Sequence, residues 1–215
     1  LLISFLMIFQ PAGKYASLDA KYKPSIKTNW MPKWCSDIMI FQMFLVYTFA
    51  TIAKFYPDWL DGRFTGNLFK YNQYADIFPF FKEHWFHLFL AYSGIVFDGL
   101  IIPALLWKRT RTIAFIAAAF FHLFNAVTLE IGIFPFFALS FIVFFYPPEA
   151  IGKVFFKNRV LEKKKKKPFT WNIYVKYLLI IYFIFQILLP LRHWLIKGDV
   201  LWTDEGHRLS WRMML

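Results

Sequence analysis

Long apolar runs separated by short polar ones dominate this chain, and the runs have the length of bilayer crossings. A helix needs about 20 mostly apolar residues to span the hydrocarbon of a membrane. Asp37–Phe55, His84–Trp107, Thr112–Leu129, Ile131–Tyr146 and Trp171–Leu191 reach or approach that length. Leu1–Phe9 is apolar but too short, so it reads as the end of a span and the sequence as part of a longer protein. Pro57, Pro147, Pro148 and Pro190 fall at the ends of runs. Proline costs little there, because terminal backbone groups lack intrahelical partners anyway. No strand-like alternation competes with this pattern. The predicted fold class is all-α: a polytopic transmembrane helical bundle with about five complete spans and one partial span.

Composition strengthens that reading. Of 215 residues, 59% are hydrophobic, 23% aromatic and 18% charged, with a mean hydropathy of +0.45. Soluble domains lie nearer ~45–50% apolar and ~25% charged. Too few polar residues remain to cover a water-soluble globule, which excludes an ordinary cytosolic domain, a disordered chain and a nucleic-acid binder.

The formal net charge of +12 then acquires a different meaning. Lysine and arginine collect on the cytoplasmic loops of membrane proteins. Loop 10–33 carries Lys14, Lys21, Lys23, Lys27 and Lys33, and loop 108–111 carries Lys108, Arg109 and Arg111. Loop 149–167 carries Lys153, Lys157, Arg159 and the run Lys163–Lys167. These three loops are expected to be cytoplasmic, with the lipid bilayer, and no nucleic acid, as partner. The predicted organisation is a transmembrane domain over 1–191 and an external segment over 192–215 leading into a further C-terminal region. The aromatic stretch Asp58–Phe81 is expected outside, as an interfacial re-entrant or surface helix. The lysine run and the single cysteine, Cys35, suit a bacterial inner membrane.

An ionisable residue at membrane depth is costly and is a functional candidate by default. Lys54 lies near the external end of its span, as a snorkelling lysine or as a base. Asp98 is mid-span, as a structural carboxylate or a functional one. His122 and Asn125 are one turn apart and share a helix face. Glu130 and His193 follow at external ends. Topology brings Lys54, His122, Glu130 and His193 toward one leaflet, and that convergence favours function. His84 and His87 are also one turn apart, but no third ligand is evident nearby, so no metal site is expected.

Several stretches resemble a known family. Ala53-Lys54-Phe55-Tyr56-Pro57-Asp58-Trp59-Leu60-Asp61-Gly62 is similar to the lysine-containing segment of the vitamin K-dependent gamma-glutamyl carboxylases. Phe121-His122-Leu123-Phe124-Asn125 followed by Ile131-Gly132-Ile133-Phe134-Pro135 resembles a second segment of them. Leu189-Pro190-Leu191-Arg192-His193, through Trp202-Thr203 to Ser210-Trp211-Arg212-Met213-Met214, resembles the passage into their lumenal domain. Asp98 sits where that family has a mid-helix aspartate. In order and spacing these identify the wider HTTM superfamily, the vitamin K-dependent carboxylase-like transmembrane proteins.

The resemblance implies a chemistry. A lysine deprotonates reduced vitamin K, oxygen converts it to an epoxide by way of a strong base, and that base removes the γ-proton of a glutamate that then takes up carbon dioxide. Lys54 would be the initiating base and His122 a second catalytic residue. Asn125, Glu130, His193, Asp98 and Trp59 would line the quinone and substrate region. The implied cofactor is reduced vitamin K or a menaquinone-type quinol, without a metal, and the implied partner a peptide or protein substrate on the external side. Burial among apolar walls disfavours the charged form of an amine, which suits a base. The chain departs from the family at Gly13-Lys14-Tyr15-Ala16-Ser17, where Lys14 replaces an active-site histidine, and at Glu130, where the family has a small or polar residue. Two alternatives stand beside the enzyme. One is a non-catalytic HTTM subunit or scaffold with membrane-complex partners. The other is a transporter, which would need an internal repeat that the sequence does not show.

Overall fold

In the computed structural model, residues 2–14, 17–28, 31–70, 72–129, 132–155, 173–197 and 210–211 are described. The described residues form helices and turns and contain no strand. In chain order the α-helices are α1 (Leu2–Ile8), α2 (Leu18–Tyr22), α3 (Trp34–Ala53), α4 (Pro57–Leu60) and α5 (Arg63–Lys70). They continue as α6 (His84–Leu106), α7 (Arg111–Thr128), α8 (Phe134–Ser140), α9 (Pro148–Phe155) and α10 (Ile173–Leu191). Helices α3, α6, α7 and α10 are each long and apolar enough to cross a membrane.

The fifth expected span is broken. Over the run Ile131–Tyr146 the structure has α8, then a 3-10 segment Phe141–Phe145, then a bend of 120° into α9. Pro147 and Pro148 explain the break, since neither offers an N–H and each clashes with the turn before it. The two pieces from Phe134 to Phe145 rise only ~20 Å against the ~30 Å hydrocarbon thickness, so the fifth crossing counts as one only when α9 is taken with them as a single bent span.

The chain divides into two compact units, Leu1–Gln42 with Val143–Ile184, and Met43–Ile142 with Phe185–Leu215. In the first, Gln42 is almost fully buried and accepts a hydrogen bond from the Tyr182 hydroxyl at 2.9 Å. Tyr182 also stacks on Phe5, and Gln10 donates to the Cys35 carbonyl at 3.2 Å. Ser17 caps α2 by accepting from the Ala20 N–H at 3.1 Å, which satisfies one orphan donor of that helix.

The second unit holds the candidate residues. Helix α6 buries Ala91, Gly94, Asp98, the adjacent pair Ile101 and Ile102, and Leu105, along one face at steps of three or four, and exposes Phe89, Val96 and Leu100. Large apolar side chains on the exposed face with small or polar ones inside is the arrangement a lipid-facing helix needs, because lipid rather than water is the outer solvent. A tight turn joins α6 to α7, and the arginine at its end closes it. Arg111 donates from Nε to the Leu105 carbonyl at 2.9 Å and from a terminal nitrogen to the Leu106 carbonyl at 3.1 Å. A cation there satisfies carbonyls that α6 leaves unpaired and complements its negative end.

Between α3 and α6 the chain folds down on itself. Pro57 begins α4, and Gly62, at φ +77°, turns the backbone into α5. That conformation suits glycine, and a Cβ at Gly62 would also meet the Leu88 backbone nitrogen at 3.3 Å. Helix α5 is amphipathic, burying Thr65 and Phe69 and exposing Arg63 and Lys70. The aromatic stretch thus contains an amphipathic helix. Phe69 meets Phe81 and Phe86 edge-to-face at 5.1 and 5.9 Å, and Phe81 and Phe86 stack at 5.0 Å. Edge-on and offset contacts of this kind add to the burial of the rings themselves. Because Phe69 is the closed centre of this cluster, Phe69→Ala should destabilise the protein by about 3–5 kcal/mol. Thermal unfolding in detergent would read this as a lower transition temperature.

Candidate functional site

The lysine expected near the end of a span does not snorkel. Lys54 lies just beyond α3 and turns inward, where its Nζ forms an ion pair with the Asp98 carboxylate of α6. Nζ also donates to the Ala50 carbonyl at 3.3 Å and sits 5.2 Å from the centre of the Trp59 ring. Side-chain exposure is 11% for Lys54 and 8% for Asp98, so water screens this pair little. Either charge alone at this depth would cost several kcal/mol, whereas each supplies the other's countercharge.

Sequence places Trp59 over the pair by a short chain of causes. Helix α4 begins at Pro57, one turn beyond Lys54, and carries Trp59 back against α6. There the indole Nε1 donates to the Ala91 carbonyl at 3.0 Å, and the ring stacks on Phe64 at 5.0 Å. Gly94 makes the approach possible. A Cβ on Gly94 would lie 3.7 Å from Trp59 and 3.9 Å from the Lys54 stem. Ala91, Gly94 and Asp98 thus form a small-small-acid stripe along α6, against which the tryptophan and the lysine pack.

His122 belongs to a different centre. It is buried, and its Nε2 shares a hydrogen bond of 2.9 Å with the Tyr47 hydroxyl. Phe97, Phe121 and Phe134 surround the imidazole edge-on, with ring centres 5.7, 5.5 and 6.3 Å away. Tyr47 and Lys54 are seven residues apart, two turns or roughly 10 Å along α3. One face of that helix therefore serves two polar centres. Asn125 lies one turn beyond His122 and is half-buried. His193 lies in the 3-10 turn Arg192–Leu195, and its side chain is outside the described residues, as is Glu130. Lys14, in the position of the family histidine, is exposed at the end of a short 3-10 turn.

The expected set is thus divided. The structure joins Lys54, Asp98 and Trp59, and gives His122 to Tyr47. Tyr47 is the residue that sequence reasoning missed. It carries no charge, and in a chain with 29 Phe and 11 Tyr one more aromatic in a span draws no notice. Its only signal was its place two turns before Lys54. Among the described residues no group of His, Cys, Asp or Glu is arranged to hold a metal.

A helical bundle with several apolar crossings and a buried charge pair between two of them defines an integral membrane protein with a polar centre inside the bundle. Comparison with known families goes further: the HTTM domain matches residues 1–149, and this chain belongs to that family. Residues 171–215 match the lumenal domain of vitamin K-dependent gamma-carboxylase. The chain is therefore a gamma-carboxylase-like membrane protein. No solved structure matches it.

Two substitutions test the geometry. A Cβ at Gly94 meets its neighbours at ordinary contact distance, so Gly94→Ala should change stability by less than about 1 kcal/mol. Gly94→Leu must displace Trp59 and should cost about 1–3 kcal/mol. Tyr47→Phe leaves the buried His122 nitrogen without its partner and should cost about 1–3 kcal/mol. Thermal unfolding of the purified variants in one detergent checks all three.

Proposed function

We propose that this protein is a quinol-dependent carboxylase of the gamma-carboxylase type, with Lys54 as its initiating base. The observation that carries the reading is a buried lysine at the end of an apolar helix, held by a carboxylate and capped by a tryptophan ring. The family likeness supports the class of reaction.

The residues suit a reduced quinone in kind. Lys54 and Asp98 offer a proton-accepting pair, and Trp59 and Phe64 offer stacked aromatic faces. When bound, a reduced vitamin K or menaquinone-type quinol supplies an acidic hydroxyl and the reducing equivalents that oxygen consumes as carbon dioxide is added to glutamate. An ammonium cannot accept a proton, so Lys54 must first be neutral. Passing the shared proton from Nζ to the Asp98 carboxylate leaves a neutral amine beside a neutral acid, with no net charge created inside the bilayer. The free Nζ lone pair then takes the hydroxyl proton, and the ammonium formed stays next to Asp98. Trp59 keeps water from this exchange. The external segment and the side of the membrane reached by Lys54 would meet the peptide or protein substrate, and the three basic loops would be cytoplasmic. Asn125, Glu130 and His193 would line the quinone and substrate region, with His122 acting from its own centre beside Tyr47.

A second reading is favoured by one feature of the same site. The pair is nearly closed, with Lys54 satisfied by Asp98, Ala50 and Trp59 at once. Such a pair suits a non-catalytic HTTM subunit that uses it as an internal strut within a larger membrane complex. Lys54→Arg separates the two readings. Arginine keeps the positive charge toward Asp98 but stays protonated and cannot act as a base. With reduced vitamin K, oxygen, carbon dioxide and a glutamate peptide, the catalytic reading expects epoxide formation by the wild type. It expects at least a ~100-fold loss in Lys54→Arg, the scale of a lost general base, with little change in unfolding temperature. Equal turnover in both proteins would remove Lys54 from the chemistry, and absence of turnover in the wild type would favour the subunit.

A further inference from the structure

Beside α5 and the start of α6 lies a cavity of about 480 Å³ that neither polar centre uses. Its walls are Arg63, Asn67 and Lys70, at one-turn spacings along α5, with Lys82, His84 and His87 opposite. Gly62 and Gly66 form bare backbone between them. Among the described residues no carboxylate lines it. Asp58 and Asp61 pair with Arg63, and Asp76 pairs with Lys82 at 2.7 Å, where the ammonium holds the exposed Asp76 carboxyl below its usual range. These pairs are solvent-exposed, and exposed pairs contribute little net free energy, so the cations can exchange a carboxylate for another anion.

His87 adds a directional group. Its Nε2 lies 2.8 Å from the Phe81 carbonyl, which can only accept, so Nε2 carries a proton. Nδ1 then faces Gly66, where a Cβ would stand 2.9 Å away and could not be accommodated without a shift. Glycine at 66 thus keeps the imidazole edge beside the cavity.

Position supplies the ligand class. His84 is the first residue of a helix long enough to cross a membrane, so the cavity stands at the level of that helix's end. Ile77, Phe78, Phe80, Trp85 and Phe89 are exposed on the same stretch, and aromatic rings of this kind favour the headgroup level of a bilayer. A cationic, donor-lined cavity next to an exposed apolar and aromatic rim fits a phosphate attached to acyl chains better than a free anion, which has no use for the rim.

We infer that this cavity binds the phosphate headgroup of an anionic phospholipid, with Arg63, Lys70 and Lys82 as counterions and Asn67 and His84 as further hydrogen-bonding groups. The inference is independent of any catalytic role for Lys54, and its test requires no activity.

Native mass spectrometry of the full chain, released from detergent with equimolar phosphatidylglycerol and phosphatidylcholine, reads the site directly. Phosphatidylglycerol adducts should predominate, and Arg63→Gln, Lys70→Gln and Lys82→Gln should each weaken them about fivefold. These residues are exposed, so the variants should fold, and an unchanged unfolding temperature would confirm it. Gly66→Val, whose side chain must push His87 out of its place beside the cavity, should also lose the adduct. Equal retention of both lipids, or phosphatidylglycerol retention indifferent to all four substitutions, would overturn the proposal. Displacement of the lipid by low-millimolar inorganic phosphate, or by a poly-glutamate peptide, would equally overturn it by assigning the cavity to a free anion or an acidic peptide.

Discussion

A charge inside a bilayer must be neutralised by a neighbour, and much of the second unit is arranged around meeting that demand for Lys54. The lysine reaches Asp98 across the α3–α6 contact, and the contact can be close because α6 presents Ala91 two turns and Gly94 one turn before the aspartate. Pro57 starts α4 early enough to return Trp59 over the ammonium, and the indole anchors itself on the Ala91 carbonyl. Gly62 then turns the chain into α5, whose Phe69 closes the aromatic cluster against α6. Each step uses the residue type that the step before it requires.

The same face of α3 carries a second polar group two turns away. Tyr47 and His122 make a neutral hydrogen-bonded pair inside a ring of phenylalanines. Such a pair is cheaper to bury than an ion pair, because neither partner carries a full charge that must leave water. The protein thus combines one charged and one neutral centre in neighbouring turns, and Phe97, the residue before Asp98, packs against both Tyr47 and His122.

How much of this was legible beforehand follows from what each signal measures. Helices α3, α6, α7 and α10 were readable because a run of about 20 apolar residues has few other uses. The bend between Phe145 and Pro148 was not legible: a proline pair marks where a helix stops, but its 120° turn into α9 depends on packing that no local pattern encodes. Lys54 and Asp98 were visible singly, as charges in apolar surroundings. Their pairing was not, since they are 44 residues apart on different helices and no local spacing links them. Depth alone suggested that Lys54 and His122 belong together, but depth does not fix rotation about a helix axis. Tyr47 stayed hidden because an uncharged phenol in an aromatic-rich span carries no penalty to draw attention.

The central claim is that Lys54 and Asp98 act as one energetic unit, and a double-mutant cycle measures that most directly. Lys54→Ala, Asp98→Ala and the double variant would be unfolded in the same detergent by heat or denaturant. Each single variant strands the other charge and should lose about 3–5 kcal/mol. The double variant should lose no more than the worse single one, giving a coupling of several kcal/mol. Losses that simply add would contradict the account, since they would mean the two residues contribute independently.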